Sequence, residues 1–109
     1  MNNEYGVKLD SNGYAPSIMQ AADKLCYLCG SGRDLVRHEP IGGPYRAKSK
    51  RFGLWVHLCT ACHEKVHSSS FMGIRWGRML KGAAQECAEF YLNWSTEKFV
   101  EEFGKNYKE

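Results

Sequence analysis

Residues 53–67 read GLWVHLCTACHEKVH, and this stretch decides the fold of the chain. Residues 54–58 have the highest β-propensity in the sequence and predict a strand. A C-x-x-C pair, Cys59 and Cys62, follows that strand directly. The pattern then becomes helical through His67, so a strand, a tight cysteine turn and a helix follow one another.

A second C-x-x-C pair lies upstream in the segment CYLCG, residues 26–30. The glycine that ends this segment provides the open backbone that such a turn needs. Zn²⁺ prefers four thiolates in a tetrahedron at about 2.3 Å, and a two-residue spacer lets a turn direct two sulfurs at one ion. The two pairs, which are 29 residues apart, therefore predict one structural zinc on Cys26, Cys29, Cys59 and Cys62.

The chain has five cysteines, and an odd count without a secretory leader argues against a disulfide framework. The fifth, Cys87, falls on an apolar helical stripe and is expected to pack as a small hydrophobic side chain. Metal binding contributes on the order of 10 kcal/mol to the folding of zinc-finger peptides. In so small a domain we expect Cys59→Ser or a strong chelator to unfold the core.

The composition is that of an ordinary globular domain. Of the 109 residues, 43% are hydrophobic and 25% are charged, which is too apolar for a disordered chain and enough for one domain. No apolar run approaches the roughly 18 residues of a membrane-spanning helix, and no signal-peptide pattern opens the sequence. We therefore expect a cytoplasmic protein without a membrane partner.

The segment between the cysteine pairs completes the predicted core. Its pattern predicts a strand at residues 35–38, a turn-rich loop at residues 40–44 and then a basic loop. This order is typical of a treble-clef zinc finger, that is, a ββα-metal core: a cysteine turn, a strand, a loop, a second strand, a second cysteine turn and a helix. The sequence therefore predicts an α+β fold whose zinc-bound core spans residues 24–70.

An N-terminal extension, residues 1–23, precedes this core. It contains an Asn-Gly dipeptide at residues 12–13 after a short alternating stretch, which predicts a hairpin. Residues 17–24 are expected to form one or two helical turns that lead to the first cysteine pair.

A C-terminal extension, residues 71–109, is predicted to be helical and to pack on the core or to present a homodimer face. Its apolar residues recur with a period near 3.6. A second helix is expected to begin at Ser95 or Thr96 and to end at Gly104. The apolar stripe before it consists of Trp76, Met79, Leu80, Ala83, Ala84, Cys87, Phe90, Tyr91 and Trp94.

Basic charge is concentrated between the two cysteine pairs. The formal net charge is only +3, below what is typical of a dedicated nucleic-acid module. From residue 33 to residue 51, however, six basic residues accompany only two acidic ones. One interpretation is a solvated surface. The other is contact with a nucleic-acid backbone through Arg46, Lys48, Lys50 and Arg51.

Three histidines are placed where one cation can meet them. His63 and His67 are four residues apart on the predicted helix, so their imidazoles share one face, about 6 Å apart at Cβ. His38 ends the first strand, and in a ββα fold that strand end lies over the start of the helix. The pattern indicates a site for a second metal ion.

Three segments together resemble the zinc-stapled HNH (His-Me finger) endonucleases: CYLCG at residues 26–30, RHEPIGG at residues 37–43 and GLWVHLCTACHEKVH at residues 53–67. The resemblance covers about 42 of the 109 residues. It implies a structural zinc on the cysteines, a general-base histidine at the end of the first strand, and a divalent ion at the helix start that binds the scissile phosphate of DNA. The chain is also similar to small phage and prophage proteins, partly through its ending FGKNY, which would place it in a bacterial host cell.

Matched position by position, the resemblance implies that His38 activates water and that His63 is the final histidine of the motif. His67 matches the second helix histidine of some members. An imidazole with a pKa of about 6.5 takes a proton from water at neutral pH, and a divalent cation stabilises the phosphate and the leaving oxygen. Mg²⁺, Mn²⁺, Ni²⁺ and Zn²⁺ are all candidates for this second ion.

Two departures from the family pattern leave alternatives open. Many members place a metal-binding Asp or His just before the base histidine, where this chain has Arg37. Either Glu39 takes the ligand role, or His38 is the ligand and Glu39 the base. The middle Asn of the motif is replaced by apolar residues around positions 52–54, and His57 is more typical of a packed or solvent-facing strand residue.

Two functions follow from these residues. The first is a metal-dependent, HNH-like endonuclease or nickase that hydrolyses DNA phosphodiester bonds. The second is a non-catalytic zinc-finger protein, phage-encoded by the same resemblance, that binds nucleic acid as an accessory. Cutting needs His38, His63 and a second metal, whereas binding needs only the basic loop and zinc.

Overall fold

Two short antiparallel strands and a set of helices make up the computed structural model, which describes residues 1–21 and 24–108. In chain order the elements are β1 (Leu35–His38), a 3-10 turn (Gly43–Tyr45), α1 (Arg46–Arg51), β2 (Val56–Cys59), α2 (Thr60–Val66), α3 (Phe71–Tyr91) and α4 (Thr96–Phe103). β1 and β2 pair so that Leu35 lies opposite Cys59 and His38 opposite Val56. The structure is thus the small α+β fold that the sequence predicts.

The transition from β2 to α2 takes no loop. Cys59 is both the last residue of β2 and the N-cap of α2, and its sulfur accepts a hydrogen bond from the backbone N–H of Cys62 at 3.5 Å. The extended backbone of Cys59 turns the chain directly from strand into helix, as an N-cap residue does. As a result, the second cysteine pair sits at a fixed corner of the fold.

The two C-terminal helices have conventional ends. The Ser70 hydroxyl accepts from the N–H of Gly73 at the start of α3, and the Ser95 hydroxyl accepts from the N–H of Lys98 at the start of α4. Gly104 ends α4 in the left-handed conformation with φ of 79°. The predicted cap at Ser95 and stop at Gly104 are confirmed.

One hydrophobic core joins the sheet to the C-terminal helices. Phe99 and Phe103 of α4 stack with ring centroids 5.0 Å apart, and Trp94 packs beside both. The hydrophobic residues with no exposed surface are Leu54, Val56, Leu58, Leu80, Ala84, Ala88, Phe99 and Phe103. Because these residues come from both the sheet and the helices, the two parts stabilise each other.

α3 buries only part of its predicted apolar stripe. Leu80 and Ala84 face the core, and half-buried Cys87 packs against it, where burial raises the pKa of its thiol. The exposed members of the stripe are Met79, Phe90 and Tyr91. The homodimer face therefore stays a prediction for these exposed residues.

The N-terminal hairpin prediction is wrong. Residues 12–13 lie in a turn that is closed by a hydrogen bond from the N–H of Asp10 to the carbonyl of Tyr14 at 2.9 Å. No strands flank this turn in the described residues. After this turn Ala15 donates to the Lys50 carbonyl, while residues 7–9 pair with the first three residues of the chain, where an antiparallel bridge joins Asn2 and Lys8. The predicted helical turns are also absent at residues 17–21 and 24, and residues 22–23 lie outside the described part.

The predicted basic loop is a helix. The residues before it form a 3-10 turn with a proline in its first turn, a position that proline favours, and α1 continues directly from it. The hydroxyl of buried Ser49 donates to the Ile41 carbonyl at 2.6 Å and fixes the helix against the preceding loop. The following strand begins at Val56 rather than at residue 54, because Leu54 donates its N–H to the Ser49 carbonyl instead of to the sheet.

Among the described residues, no helix combines the length and the apolar character needed to cross a bilayer.

Candidate metal centres

The four predicted zinc ligands lie together at one corner of the sheet. Each offers its Sγ within 4.8 Å of the other three, and the sulfurs of Cys29 and Cys59 are 3.7 Å apart. Four thiolates at about 2.3 Å around one tetrahedral Zn²⁺ lie about 3.8 Å from one another. The cluster Cys26, Cys29, Cys59 and Cys62 can therefore bind a structural metal such as zinc.

Backbone hydrogen bonds position the first cysteine pair. Gly30 has a left-handed φ of 81° and donates to the Cys26 carbonyl at 2.9 Å, while Cys26 donates to the Ser31 carbonyl at 2.7 Å. Tyr27 donates to the His57 carbonyl at 2.8 Å and so ties this turn to β2. The turn is thus held against the strand that carries the second pair.

The thiols of this cluster differ in how readily they ionise. Burial opposes ionisation of Cys26, but backbone N–H groups of Cys59, Cys29 and Leu28 outweigh it and lower its pKa to about 6. Burial and hydrogen bonds with the neighbouring thiols raise the pKa of Cys62 far above its usual range. The surroundings of Cys26 therefore favour its thiolate, which is the form that binds metal.

The structure also brings His38 together with His63 and His67, which lie more than twenty residues further along the chain. The ring centroid of buried His38 lies 5.3 Å from those of both His63 and His67. The Nε2 atoms of His63 and His67 are 3.1 Å apart, and each of the three rings offers a nitrogen within 4.8 Å of the others. Two ring nitrogens bound at about 2.0–2.1 Å to one tetrahedral Zn²⁺ lie about 3.3–3.4 Å apart, so the His63–His67 separation is close to that of two ligands of one ion. The three histidines together could hold a metal ion.

The cluster forms because α2 packs back against β1. β1 ends at His38, so its imidazole reaches the helix from the last position of the strand. His63 stands inside α2, and His67 is its C-cap residue one turn later. The end of β1 therefore lies over the middle and the C-terminal end of α2, and not over its start as predicted, because the antiparallel pairing puts Leu35, and not His38, opposite Cys59.

The surroundings of His38 and His63 favour their neutral forms. Burial, followed by the charges of His63 and His67, lowers the pKa of His38 to about 4, and Lys81 adds a smaller effect in the same direction. Burial and then His67 lower the pKa of His63, while the carboxylate of Glu39 opposes both shifts. A neutral imidazole keeps the lone pair that metal binding and proton abstraction both need.

Glu39, the alternative ligand or base, is engaged elsewhere. Its Oε2 accepts a hydrogen bond from the Tyr14 hydroxyl at 2.6 Å, and its Oε1 accepts from the Arg46 Nε at 2.5 Å. Its side chain is only 6% exposed. Within the described residues, the group of side chains close enough to share a metal ion consists of the three histidines and does not include Glu39.

The basic residues predicted to bind nucleic acid are largely occupied within the protein. The Lys50 ammonium lies 4.8 Å from the centre of the Tyr14 ring. The other three form ion pairs: Arg46 with Glu39, Lys48 with Glu102, and Arg51 with Glu4. A nucleic acid that used these side chains would have to displace internal partners.

The positions that depart from the family pattern have structural roles. Arg37 pairs with Asp10 at 2.8 Å, and its guanidinium lies 4.3 Å from the centre of the Tyr14 ring. The residues at 52–54 are buried, and the His57 ring packs against Trp55 with centroids 5.1 Å apart. None of them joins the histidine cluster in the described residues.

The sequence prediction missed Tyr14. Its ring lies against Arg37 and Lys50, and its hydroxyl orients Glu39 from a position 25 residues away in the chain. Burial and the bond to Glu39 raise the pKa of Tyr14, so its hydroxyl stays a donor. No local pattern around residue 14 indicates this contact, because it depends on how the N-terminal segment crosses the core.

Protein-family models, curated proteins and solved structures were all compared with the chain, and none of them matches it, so its function has to be argued from the two clusters themselves.

Proposed function

We propose that the protein is a metal-dependent, HNH-like endonuclease that hydrolyses DNA phosphodiester bonds. The observation that carries the proposal is the meeting of His38, from the end of β1, with His63 and His67, from α2, at metal-ligand spacing. Three converging imidazoles on a small fold are more than zinc-dependent folding alone requires.

The scaffold in this proposal is a treble clef built on a structural zinc. The four cysteines hold the ion, and the order of first cysteine turn, β1, β2 and α2 gives a ββα arrangement. The structural ion would fix the corner at Cys59 from which α2 begins. That corner sets where His63 stands relative to His38.

A second divalent ion, Mg²⁺, Mn²⁺, Ni²⁺ or Zn²⁺, would be held by His63 and His67. Their Nε2 separation of 3.1 Å fits two ligands of one ion, and the lowered pKa of His63 favours the neutral ring that binds metal. When bound, such an ion supplies charge stabilisation to the scissile phosphate and to the leaving oxygen. DNA is the proposed substrate, because its phosphodiester oxygens would bind to such an ion.

His38 takes the role of activating water in this proposal. Its pKa of about 4 keeps the ring neutral and its lone pair free at physiological pH, although a general base is strongest with a pKa near the operating pH. The alternative gives His38 to the metal and makes Glu39 the base. Glu39 would then have to exchange its bonds to Tyr14 and Arg46 for a water molecule.

A plasmid-nicking assay tests the proposal. Supercoiled DNA is incubated with zinc-verified wild type, His38→Ala and His63→Ala, each with added Mg²⁺, Mn²⁺ or Ni²⁺. His57→Ala is the matched control, since His57 lies on β2 but outside the histidine cluster. We expect metal-dependent nicking by wild type and His57→Ala, and a loss of about 10²–10⁴-fold in the other two.

Metal titration of His38→Ala separates the two roles of His38. Retained binding of the second ion together with lost nicking indicates a base. Loss of the second ion indicates a ligand and transfers the base role to Glu39. Equal nicking by His38→Ala and wild type would contradict the proposed function.

A non-catalytic nucleic-acid-binding zinc finger is the second candidate. It is favoured by the departures from the family pattern, because Arg37 is tied to Asp10 and the middle Asn is replaced by buried apolar residues. Absence of nicking with every metal, together with a plasmid gel shift that weakens with salt, would support this candidate.

A further inference from the structure

A broad groove of about 1230 Å³ runs between the outer face of α3 and the C-terminal tail. We call it the α3 groove. One wall is formed by residues of α3 between Phe71 and Glu86, and the other by residues 105–108. This face of α3 points away from Leu80 and Ala84, which are buried in the core.

The α3 groove is basic, and most of its positive charges form no ion pair within the described residues. Its lining contains five basic side chains and one carboxylate, Glu86. Of the basic side chains, Lys108 pairs with Glu89. Across residues 1–21 and 24–108, no ion pair involves the other four, which are Arg75, Arg78, Lys81 and Lys105. They contrast with the basic side chains of α1, most of which are neutralised.

The tail wall of the groove is fixed in place. Fully buried Gln85 accepts a hydrogen bond from the N–H of Tyr107 at 2.6 Å and donates to the Asn106 side chain at 2.9 Å. The ammonium groups of Lys81 and Lys105 lie 5.7 and 5.6 Å from the centre of the Tyr107 ring. Cations from both walls are therefore held around one aromatic ring.

The α3 groove lies beside the element that carries His63 and His67. A Cβ added to Gly73 would come within 2.1 Å of the Lys65 carbonyl oxygen, so the first turn of α3 lies directly against the end of α2. The Lys65 ammonium is also 5.3 Å from the centre of the Trp76 ring. A strand held at the histidine cluster could therefore continue along α3.

We propose that the α3 groove binds the phosphate backbone of duplex DNA through Arg75, Arg78, Lys81 and Lys105. Cations that form no ion pair and that line one groove match a regularly charged polyanion, and phosphate contacts of this kind position a duplex without reading its sequence. The inference rests on the proposed function for the identity of the substrate. It places the main DNA contact on α3 instead of on α1.

Fluorescence anisotropy with a short labelled DNA duplex, measured without added divalent ions over a range of salt concentrations, tests this inference. The test variant is Arg75→Ala/Arg78→Ala, and both side chains are exposed, so the fold is retained. The matched control is Lys8→Ala/Arg33→Ala, which removes two exposed basic side chains outside the groove. Zinc content and melting temperature verify both proteins.

Each phosphate contact contributes about 0.9 to the slope of log K against log salt concentration, so the groove variant should lose about 1.8 from that slope. The control variant should leave the slope unchanged. Equal losses in both variants, or no duplex binding by wild type at low salt, would overturn the inference. Displacement of the duplex by a poly-glutamate peptide of equal charge, as effectively as by unlabelled duplex, would point to an acidic protein partner and also overturn it.

Anisotropy and plasmid nicking, measured on the groove variant and on His38→Ala, separate this inference from the proposed function. Normal metal-dependent nicking with an unchanged salt slope in the groove variant would overturn the α3 groove and leave the nuclease standing. A reduced slope in the groove variant, together with wild-type nicking by His38→Ala, would support the groove while contradicting the catalytic proposal.

Discussion

Cys29 offers a clean way to test whether a metal holds this fold together. Its side chain is exposed, and its sulfur meets that of Cys59 at 3.7 Å within the cysteine cluster. Replacing it by serine removes one thiolate and no buried surface. Replacing it by histidine supplies a different zinc ligand at a position with room for a larger side chain.

The size of the change in melting temperature distinguishes the loss of a structural metal from an ordinary substitution at an exposed position. A substitution at an exposed position away from any special feature shifts the melting temperature of a 100-residue domain by no more than about 4 °C. A structural zinc contributes about 10–16 kcal/mol in zinc-finger peptides, whereas a whole domain has only about 5–15 kcal/mol of net stability. If zinc holds this corner, Cys29→Ser should abolish the cooperative transition or lower its midpoint far beyond 4 °C.

The assay combines zinc content, measured by elemental analysis, with thermal unfolding followed by circular dichroism. Cys29→Ser should lose zinc and stability together, while Cys29→His should retain both to a large extent, because Cys₃His sites also bind structural zinc. Cys87→Ser is the control for thiol loss outside the cluster. A zinc-free Cys29→Ser protein that melts like wild type would refute the structural role of the metal.

Two further predictions concern the helices. Phe99→Ala should cost about 3–5 kcal/mol in unfolding free energy measured by urea denaturation, because the ring is fully buried and stacked on Phe103; a loss comparable to that of an exposed substitution would contradict this packing. Hydrogen bonds and charge from Lys98 and Lys48 lower the pKa of Glu102, so the carboxylate stabilises the fold above its unfolded pKa of 4.5 and loses this contribution as pH falls through its lower folded pKa. Glu102→Gln should therefore melt a few degrees below wild type at neutral pH and converge with it in acid, and a difference that persists at low pH would exclude the ion pairs as its cause.

Local features of the fold could be predicted because short-range geometry determines them. The two-residue spacing of the cysteines directs pairs of sulfurs to one point, and a four-residue spacing places His63 and His67 on one face of α2. α4 begins at Ser95, whose side chain accepts a hydrogen bond from the Lys98 N–H, and ends at Gly104, which takes a left-handed φ. In each case the physical cause lies within a few residues.

Predictions failed where the deciding contacts are distant in sequence. The Asn-Gly dipeptide at residues 12–13 predicts a hairpin, yet the residues after it bond to a distant part of the chain. The N–H of Ala15 donates to the Lys50 carbonyl, and the Ala15 carbonyl accepts from the Trp55 indole N–H, each across more than thirty residues. The basic segment near residue 50 reads as a loop because it follows a proline-containing turn. The buried hydroxyl of Ser49 anchors it as a helix instead.

The sequence by itself determined that four thiols can meet at one metal and that α2 begins at the second cysteine pair, because both follow from local spacing. Only the tertiary structure decided which charges remain available to a partner. It paired Lys48 and Arg51 with carboxylates about fifty residues away, and it left Arg75 and Arg78 exposed along α3. The reason is that an ion pair depends on which surfaces the packed core brings together, and residue spacing carries no information about that.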